Sequence, residues 1–244
     1  MADVIRVAHR GASGVYPENT QLALEKALEA RVDMIEVDCQ LTKDGHVVVF
    51  HDEDLKRTAR ARGSVKVKTL QELKKLDIGA WRKKAFKGQK ILTLEEVLKI
   101  VNGKADLCLE IKQYRGSPMG IELKMLFILS HYDYLERTVF SSFDYHCLSR
   151  VRELAPDVRL GLIYGKGIKE DPIVAAGELA ARSVHVQRDL VSHELVNRVR
   201  AAGLDLYAWT VNEVAEMEKF ISWGVKGIVS DYPEKFWKLR LRRK

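Results

Sequence analysis

The sequence predicts a (β/α)8 barrel, an α/β fold in which eight parallel strands alternate with helices. Short apolar runs of strand length alternate along the chain with amphipathic stretches of helical period. The first run is not followed by the glycine-rich turn of a dinucleotide-binding protein, which disfavours the main alternative, an open doubly wound sheet. Ionisable residues lie towards the carboxyl ends of three of the runs or directly after them, where barrel enzymes carry their active sites.

Eight runs rich in apolar residues are the predicted strands. In chain order they are Val4–Ala8, Met34–Cys39, Asp106–Ile111, Thr138–Ser141, Arg159–Ile163, Ser183–Val186, Asp205–Trp209 and Gly227–Ser230. Seven helices are predicted between them, near residues 20–30, 94–101, 119–130, 145–154, 171–181, 192–201 and 213–222. Asn19 is the predicted N-cap of the first helix, and Thr93 that of the second, where Glu96 completes a capping box.

A hairpin is predicted directly after the second strand. Asp44–Gly45 supplies turn chemistry, and the apolar run Val47–Phe50 follows it. A hairpin centred on this turn returns His51 to a position opposite Asp38. Whether the returning run is itself a barrel strand stays open at the level of the sequence.

The segment 52–92 also interrupts the alternation of strands and helices. It is polar and basic, contains one helical stretch at Thr69–Leu76, and is too long for a structureless loop in a compact domain. We expect a small cap subdomain that leaves the barrel beside His51. The prediction is therefore a single barrel domain over residues 1–244, with the 52–92 cap and a basic tail at 235–244.

Strand parity brings ionisable residues onto one face at the carboxyl ends of three strands. His9 is in phase with one face of the first strand, and Glu36 and Asp38 share a face of the second. Glu110 and Lys112 share a face of the third. Each residue alone has an ordinary structural explanation, as a solvated strand edge or an ion pair. Inward parity in a barrel points all of them into one bowl, which predicts an active site.

Three carboxylates in this bowl predict a metal site. Glu36, Asp38 and Glu110 offer only oxygen ligands, a set that suits one hard divalent cation, Mg²⁺ or Ca²⁺, with Mn²⁺ as a further candidate. Three anions buried together need such a cation to offset their charge. Arg10 and Lys112 are then free to hold an anionic substrate against the metal.

Two histidines complete the predicted chemistry. His9 and His51 flank the bowl from different strands and supply a proton acceptor and a proton donor near neutral pH. A metal, two cationic side chains and two histidines suit displacement at phosphorus better than redox chemistry or acyl transfer. The sequence contains neither a serine nucleophile elbow nor a P-loop.

Eight segments of the sequence, taken in order, resemble the glycerophosphodiester phosphodiesterase family. The likeness runs from residue 4 to about residue 235. The segments are His9-Arg-Gly, Pro17-Glu-Asn-Thr20, Glu36-Val-Asp-Cys-Gln-Leu-Thr-Lys-Asp-Gly45, His51-Asp52, Glu110-Ile-Lys112, Ser142-Phe143, Ala208-Trp-Thr-Val-Asn212 and Gly227-Ile-Val-Ser-Asp231.

The resemblance implies a (β/α)8 barrel whose inserted segment caps the site. By the same resemblance, Glu36, Asp38 and Glu110 match the metal ligands of the family, and His9 and His51 match its acid–base pair. The implied reaction is metal-dependent hydrolysis of glycerophosphodiesters, such as glycerophosphocholine or glycerophosphoethanolamine, to glycerol 3-phosphate and an alcohol. The small-molecule diester is thus the expected partner.

The resemblance also implies substrate-binding residues. Arg10 and Lys112 fall on phosphate-contacting positions, and Trp209 falls on an aromatic wall near the glycerol or the leaving group. Phe143 belongs to a matching segment, and it is either part of the pocket wall or a packing residue.

Three further polar residues near strand ends receive structural interpretations. Asn212 precedes Glu213 and is a candidate helix N-cap. Asp231 precedes Pro233 and suits a turn. His185 is interpreted as a core residue.

The net charge of +7 is concentrated in two segments. Residues 52–92 carry thirteen basic and five acidic groups, and the last ten residues carry six basic groups and no acid. No nucleic-acid reading motif accompanies them, so nucleic acid is not an expected partner. The tail at 235–244 is expected to pack on the barrel, and weak contact with an anionic membrane surface is the alternative.

The expected location is the cytoplasm. The three cysteines are unpatterned and fit a reducing compartment, and the N-terminus lacks the layout of a signal peptide. Asn and Gln are scarce, ten in all, beside abundant charged residues, which is typical of a thermophilic source. The oligomeric state stays open.

Three alternative functions remain. The same chemistry on lysophospholipids would make the chain a lysophospholipase D. A catalytically silent phosphodiester-binding protein would keep the pocket without turnover. A metal-dependent sugar isomerase also uses carboxylates and a lysine on this fold, but it has less use for Arg10 beside His9.

Overall fold

The computed structural model describes residues 4–239 and contains the predicted (β/α)8 barrel. Eight strands pair in parallel and close into a barrel, because β1 contacts both β2 and β10; the short strands β3 and β4 extend the sheet outside it. The strands of the described chain are β1 Ile5–His9, β2 Met34–Leu41, β3 Val47–Val49, β4 Leu92–Thr93, β5 Asp106–Ile111, β6 Thr138–Ser142, β7 Arg159–Tyr164, β8 Ser183–Gln187, β9 Asp205–Trp209 and β10 Gly227–Ser230.

Seven helices cover the barrel and two short ones lie in the insert. The helices of residues 4–239 are α1 Gln21–Glu29, α2 Lys56–Ala59, α3 Leu70–Lys74, α4 Leu94–Val101, α5 Ile121–His131, α6 Tyr145–Leu154, α7 Pro172–Glu178, α8 His193–Ala201 and α9 Val214–Trp223. The predicted capping box of α4 is confirmed. Thr93 Oγ1 accepts from the amide of Glu96, whose carboxylate accepts from the amide of Thr93.

The predicted cap of α1 was wrong by one residue. Thr20, in extended conformation, caps the helix by accepting a hydrogen bond from the amide of Ala23. Asn19 instead takes a left-handed conformation, with φ 57°, and donates from Nδ2 to Asp38 Oδ2 at 2.8 Å. A buried carboxylate outcompetes the helix end for this side chain, because hydrogen bonds to ionised acceptors are the stronger ones.

Register explains why the acidic residues meet. His9 lies beside Glu36 in the pairing of β1 with β2, and Asp38 lies beside Glu110 in the pairing of β2 with β5. Side chains alternate across each strand, so residues level with one another share the inward face. The inner layer below them is apolar and includes Met34 and the other buried residues Val7, Cys108, Val139, Tyr207 and Val229.

The hairpin after β2 forms with a register one residue away from the prediction. Cys39 pairs with Val49, and the amide of Phe50 donates to the carbonyl of Asp38 at 2.8 Å. Phe50, and not His51, therefore lies opposite Asp38. Within residues 4–239 the returning strand β3 pairs with β2 and β4 only, so it is not one of the eight barrel strands.

The insert has a hydrophobic core of its own. Seven buried side chains form it: Val48, Phe50, Leu55, Val65, Leu73, Ile78 and Ile91. Two of them belong to the hairpin, so the insert packs on the strands that lead into and out of it. This packing fits the predicted cap subdomain after the second strand.

The basic tail is described only as far as Leu239, so residues 240–244 of the predicted tail lie outside the described residues. A 3₁₀ helix at Pro233–Lys238 ends this part of the chain, with Phe236 buried against the barrel layer. Trp237 Nε1 donates to the carbonyl of Ala30 at 2.9 Å, which holds the segment on the barrel. Among residues 4–239, every helix is too short or too polar to span a bilayer.

Candidate active site

A cavity of about 310 Å³ opens at the carboxyl ends of the barrel strands. Eight of the nine residues predicted from the sequence line it: His9, Arg10, Glu36, His51, Glu110, Lys112, Phe143 and Trp209. The ninth, Asp38, is completely buried directly beside the cavity, level with Glu110. The structure thus brings all nine predicted positions together.

The three carboxylates form one cluster. Oxygen atoms of Glu36, Asp38 and Glu110 lie within 4.8 Å of one another, and all three residues are buried. Parity and register produce the cluster, because positions two apart on β2 face inward and β5 pairs level with them. The arrangement fits a divalent cation held by three oxygen-donor residues.

The charge on this cluster is incompletely compensated. Burial, followed by repulsion from Asp38 and Glu110, raises the pKa of Glu36 well above its ordinary value. Glu36 Oε1 is buried without a hydrogen-bond partner among the described residues. Burial also raises the pKa of Glu110, although Lys112 opposes that shift. A buried carboxylate oxygen without a hydrogen-bond partner, in a residue clustered with two other acids, fits the donor set of a divalent cation.

Arg10 and Lys112 supply the positive charge that partly offsets the three carboxylates. Lys112 Nζ lies 2.5 Å from Glu110 Oε1 and 3.0 Å from Asp38 Oδ1. Arg10 Nε lies 3.1 Å from Asp38 Oδ2, and its guanidinium donates to Glu18 at 2.8 Å. Burial alone would raise the pKa of Asp38, but Lys112 and Arg10 hold it below its usual range. Both cations line the cavity, at positions where they can face an anionic substrate.

His9 is held by a carboxylate that the sequence interpretation missed. Its Nδ1 lies 2.6 Å from Asp231 Oδ1, while its Nε2 lies 3.9 Å from Glu36 Oε2. Ser13 and Asn212 also donate to Asp231, at 3.0 and 2.8 Å. Burial opposes ionisation of Asp231, but the hydrogen bonds from His9 and its other neighbours lower its pKa to about 2.

The structural interpretations of Asn212 and Asp231 were therefore wrong. Helix α9 begins at Val214 with Glu213 at the cap position, and Asn212 instead accepts from the amide of Asp231 at 3.0 Å. The alternation of side chains along β10 could have indicated the position of Asp231. Val229 faces the barrel interior, so Asp231, two residues later, continues the inward side of the strand.

His51 is oriented by its own neighbour. Its Nδ1 lies 2.8 Å from Asp52 Oδ1, and its ring lines the cavity. Burial lowers the pKa of His51 below the ordinary value of 6.5, and Arg10 and Lys112 add to this, although Asp38 opposes it. The neutral imidazole, with one nitrogen fixed by a carboxylate, is a suitable proton acceptor near neutral pH.

Arg57 of the insert connects the two carboxylates that hold His51 and Arg10 in place. Arg57 donates to both carboxylate oxygens of Asp52 and to both of Glu18, at 2.7 to 2.9 Å. Asp52 holds His51 and Glu18 holds Arg10, so one guanidinium ties both together. No spacing pattern in the sequence indicates this contact, because Arg57 and Glu18 are 39 residues apart.

An aromatic wall closes another side of the cavity. Phe143 and Trp209 meet edge to face, with ring centroids 5.7 Å apart, and Trp209 Nε1 donates to the carbonyl of His185 at 2.8 Å. Phe143 is 46% exposed and lines the cavity, which decides between its two interpretations in favour of the pocket wall.

His185 is buried, as expected for a core residue, yet it also lines the cavity. Its Nε2 lies 3.0 Å from the hydroxyl of Ser183, and its ring stacks on Tyr207 with centroids 4.7 Å apart. Burial lowers the pKa of His185 to about 4, so the ring is neutral at physiological pH. It lies among the apolar inner residues of the barrel, with Cys108 Sγ 4.0 Å from its Nδ1.

Ionisable groups gathered at the carboxyl ends of barrel strands define a (β/α)8-barrel enzyme. Within that class, residues 9–235 match the model of the glycerophosphoryl diester phosphodiesterase family. The chain belongs to this family and is an enzyme, a phosphoric diester hydrolase.

Individual relatives cover almost the whole chain. A glycerophosphodiester phosphodiesterase of Caldanaerobacter subterraneus is 42% identical over 229 residues, which are 93% of this chain and 94% of the relative. A phosphodiesterase of Oleispira antarctica, solved in complex with the product sn-glycerol-3-phosphate, is 30% identical with a TM-score of 0.88 and covers 96% and 95% of the two chains. A glycerophosphodiester phosphodiesterase structure from Thermotoga maritima is also 30% identical, with a TM-score of 0.78 over 98% and 100%.

Proposed function

We propose that this chain hydrolyses glycerophosphodiesters, such as glycerophosphocholine or glycerophosphoethanolamine, to glycerol 3-phosphate and an alcohol. The family and the product bound to the Oleispira antarctica relative support this substrate class. The observation that carries the proposal is the cluster of three buried carboxylates in a cavity with two histidines, each held at Nδ1 by a further carboxylate.

We further propose that Glu36, Asp38 and Glu110 hold one divalent cation, Mg²⁺ or Ca²⁺, with Mn²⁺ as a further candidate. The unpartnered Glu36 Oε1 and the raised pKa of Glu36 support this fit. When bound, such a cation supplies Lewis acidity and offsets negative charge at phosphorus. Arg10 and Lys112 line the same cavity, and we assign them to the phosphate oxygens, where fixed positive charge stabilises the transition state.

The histidines are assigned to proton transfer. His51, whose pKa is lowered chiefly by burial, is the base that deprotonates the attacking oxygen. This oxygen belongs either to water or to the 2-hydroxyl of the substrate glycerol. His9, fixed by Asp231 with Nε2 toward the cavity, protonates the departing alcohol. Phe143 and Trp209 form the wall against which the glycerol or the leaving group packs.

Product analysis tests the proposed function. Phosphorus NMR of glycerophosphocholine incubated with the protein and Mg²⁺ is expected to show glycerol 3-phosphate, with choline released in equal amount. Turnover of lysophosphatidylcholine alone would make the chain a lysophospholipase D. Tight binding of glycerophosphocholine without turnover of either substrate would make it a phosphodiester-binding protein.

The insert is expected to contribute to turnover through Arg57. Arg57→Ala leaves Asp52 and Glu18 without their shared cation, so His51 and Arg10 lose orientation, and we expect kcat for glycerophosphocholine to fall about 10- to 100-fold. The measurement is steady-state release of glycerol 3-phosphate. Lys56→Ala removes the same charge from the same short helix and serves as the control, with kcat unchanged. Equal kcat values in the two variants would contradict the role of Arg57.

A further inference from the structure

A stripe of large apolar side chains lies uncovered on the outer face of α5 and in the loop just before it. Met119 is 89% exposed, Leu123 60% and Phe127 73%. Leu123 and Phe127 are four apart, so they lie one above the other along the same side of the helix, and Met119 lies in the loop two residues before the helix begins. Soluble proteins rarely leave a contiguous apolar patch of this kind without an interaction partner.

Basic residues border this apolar stripe. Lys124 is exposed on the next position of α5, and its side chain reaches the turn at Gly45. Two hydrogen bonds join the segments that carry the other basic residues. The amide of Lys43 donates to the carbonyl of Lys68, and the Lys66 side chain donates to the carbonyl of Arg115. The basic border consists of Lys43, Lys66, Lys68, Arg115 and Lys124.

Acidic residues compensate this border only in part. Glu53 pairs with Lys66 at 2.8 Å, and Asp44 accepts from the amide of Leu70 at 3.0 Å. Hydrogen bonds from Thr69 lower the pKa of Glu72, and the charges of Lys68 and Lys43 add to this effect, so these three acids face five basic residues. Glu122, the acid on α5 itself, is buried and paired with Arg150. The border therefore keeps an excess of positive charge around the exposed apolar side chains.

We propose that this surface, the Met119–Leu123–Phe127 stripe with its basic border, docks onto an anionic phospholipid bilayer. Apolar side chains that enter the interfacial region, flanked by lysine and arginine, are the combination that binds anionic lipid. A second copy of the chain fits less well. A twofold contact would place the two basic borders against each other, and like charges repel.

Docking here would bring the cavity close to the lipid surface. The stripe begins in the loop that follows β5, and in the same loop the hydroxyl of Tyr114 donates to the carbonyl of His51. Strand β5, which leads into this loop, carries Glu110, and Glu110 lines the cavity. An enzyme held this way would meet diesters as they leave the membrane. Docking is independent of the proposed reaction, so either can fail without the other.

Vesicle sedimentation tests the docking. The full chain is mixed with vesicles of phosphatidylcholine containing one quarter phosphatidylglycerol, and separately with pure phosphatidylcholine, at low salt. We expect binding to the anionic vesicles that is at least tenfold tighter than to the neutral ones, and weaker binding in 0.5 M NaCl. Leu123→Ser combined with Phe127→Ser is expected to weaken anionic binding at least tenfold, with turnover of soluble glycerophosphocholine unchanged.

Controls separate this surface from other contacts. Leu154→Ser changes an apolar side chain that is 51% exposed outside the stripe and should leave binding unchanged. Absence of binding by the wild-type chain, or equal binding by the wild type and the double variant, would overturn the proposal. So would loss of binding on removal of residues 240–244 with the double variant unaffected, because the tail would then be the contact. A micromolar dimer in sedimentation velocity that the double variant abolishes would assign the stripe to a second copy.

Discussion

Replacing His9 or His51 by glutamine is expected to lower kcat for glycerophosphocholine by about 10²- to 10⁴-fold, because each variant loses a general acid or base of the proposed reaction. Both side chains line the cavity mouth, and each is anchored through Nδ1 to a single carboxylate, Asp231 or Asp52. The barrel should therefore stay folded. Steady-state release of glycerol 3-phosphate gives kcat, and circular dichroism with a thermal midpoint checks the fold.

An activated leaving group separates the two roles. A glycerophosphodiester of p-nitrophenol needs little protonation to leave, so His9→Gln should regain most of its turnover on this substrate, while His51→Gln should not. Rescue of His51→Gln instead would exchange the two assignments. Turnover near that of the wild type in both single variants, on glycerophosphocholine, would contradict the acid–base pair itself.

The second large effect is expected at Glu36, where function and stability should change in opposite directions. Glu36→Gln removes a ligand of the proposed cation and should lower kcat at least about 100-fold. The same change should raise the thermal midpoint of the metal-free chain at pH 8, because a buried carboxylate with a raised pKa destabilises the fold when it is ionised. A gain of about 1 kcal/mol corresponds to roughly 2–4 °C for a chain of this size.

The pH dependence of the gain in thermal midpoint follows from the upward shift in the pKa of Glu36. Between the ordinary pKa of Glu36, 4.5, and its raised value, the folded chain binds a proton that the unfolded chain does not. The free energy of unfolding therefore falls as pH rises through this window, and the advantage of Glu36→Gln should vanish near pH 4. Thermal midpoints in chelator at pH 4 and pH 8 measure it.

Glu122→Gln is the matched control for this prediction. Glu122 is also a buried glutamate, but Arg150 donates to it at 2.8 Å, so removing its charge leaves the arginine without its ion-pair partner. Its thermal midpoint should fall and its cation response should persist. A lower midpoint for Glu36→Gln at pH 8 in chelator, like that of Glu122→Gln, would contradict the account of an uncompensated charge at the metal site.

Much of the fold and the site followed from strand periodicity. Side chains alternate with a period of two, so Glu36 with Asp38, and Glu110 with Lys112, could be assigned to one face without knowledge of the structure. Neighbouring barrel strands pair with Asp38 level with Glu110, and this pairing brings these residues into one cluster. The hairpin register was less well determined, because a shift by one residue places Phe50 where His51 was expected.

The errors arose where a local interpretation competed with a distant partner. Asn19 and Asn212 both have the sequence context of a helix cap, yet each side chain contacts a site carboxylate, Asp38 or Asp231. Hydrogen bonds to an ionised, partly buried acceptor are stronger than those to a helix end, so the tertiary contact prevails. Arg57 could not be predicted at all, since nothing local indicates that the insert reaches back to Glu18.

Hydrolysis of the diester is expected to require a cation held by Glu36, Asp38 and Glu110. The most direct measurement is release of glycerol 3-phosphate from glycerophosphocholine by chelator-stripped protein, with Mg²⁺, Mn²⁺ or Ca²⁺ added back separately. We predict no release without metal, restoration by at least one of the three ions, and no restoration in Glu36→Gln. Undiminished release by the stripped wild-type protein would show that hydrolysis does not require the cation.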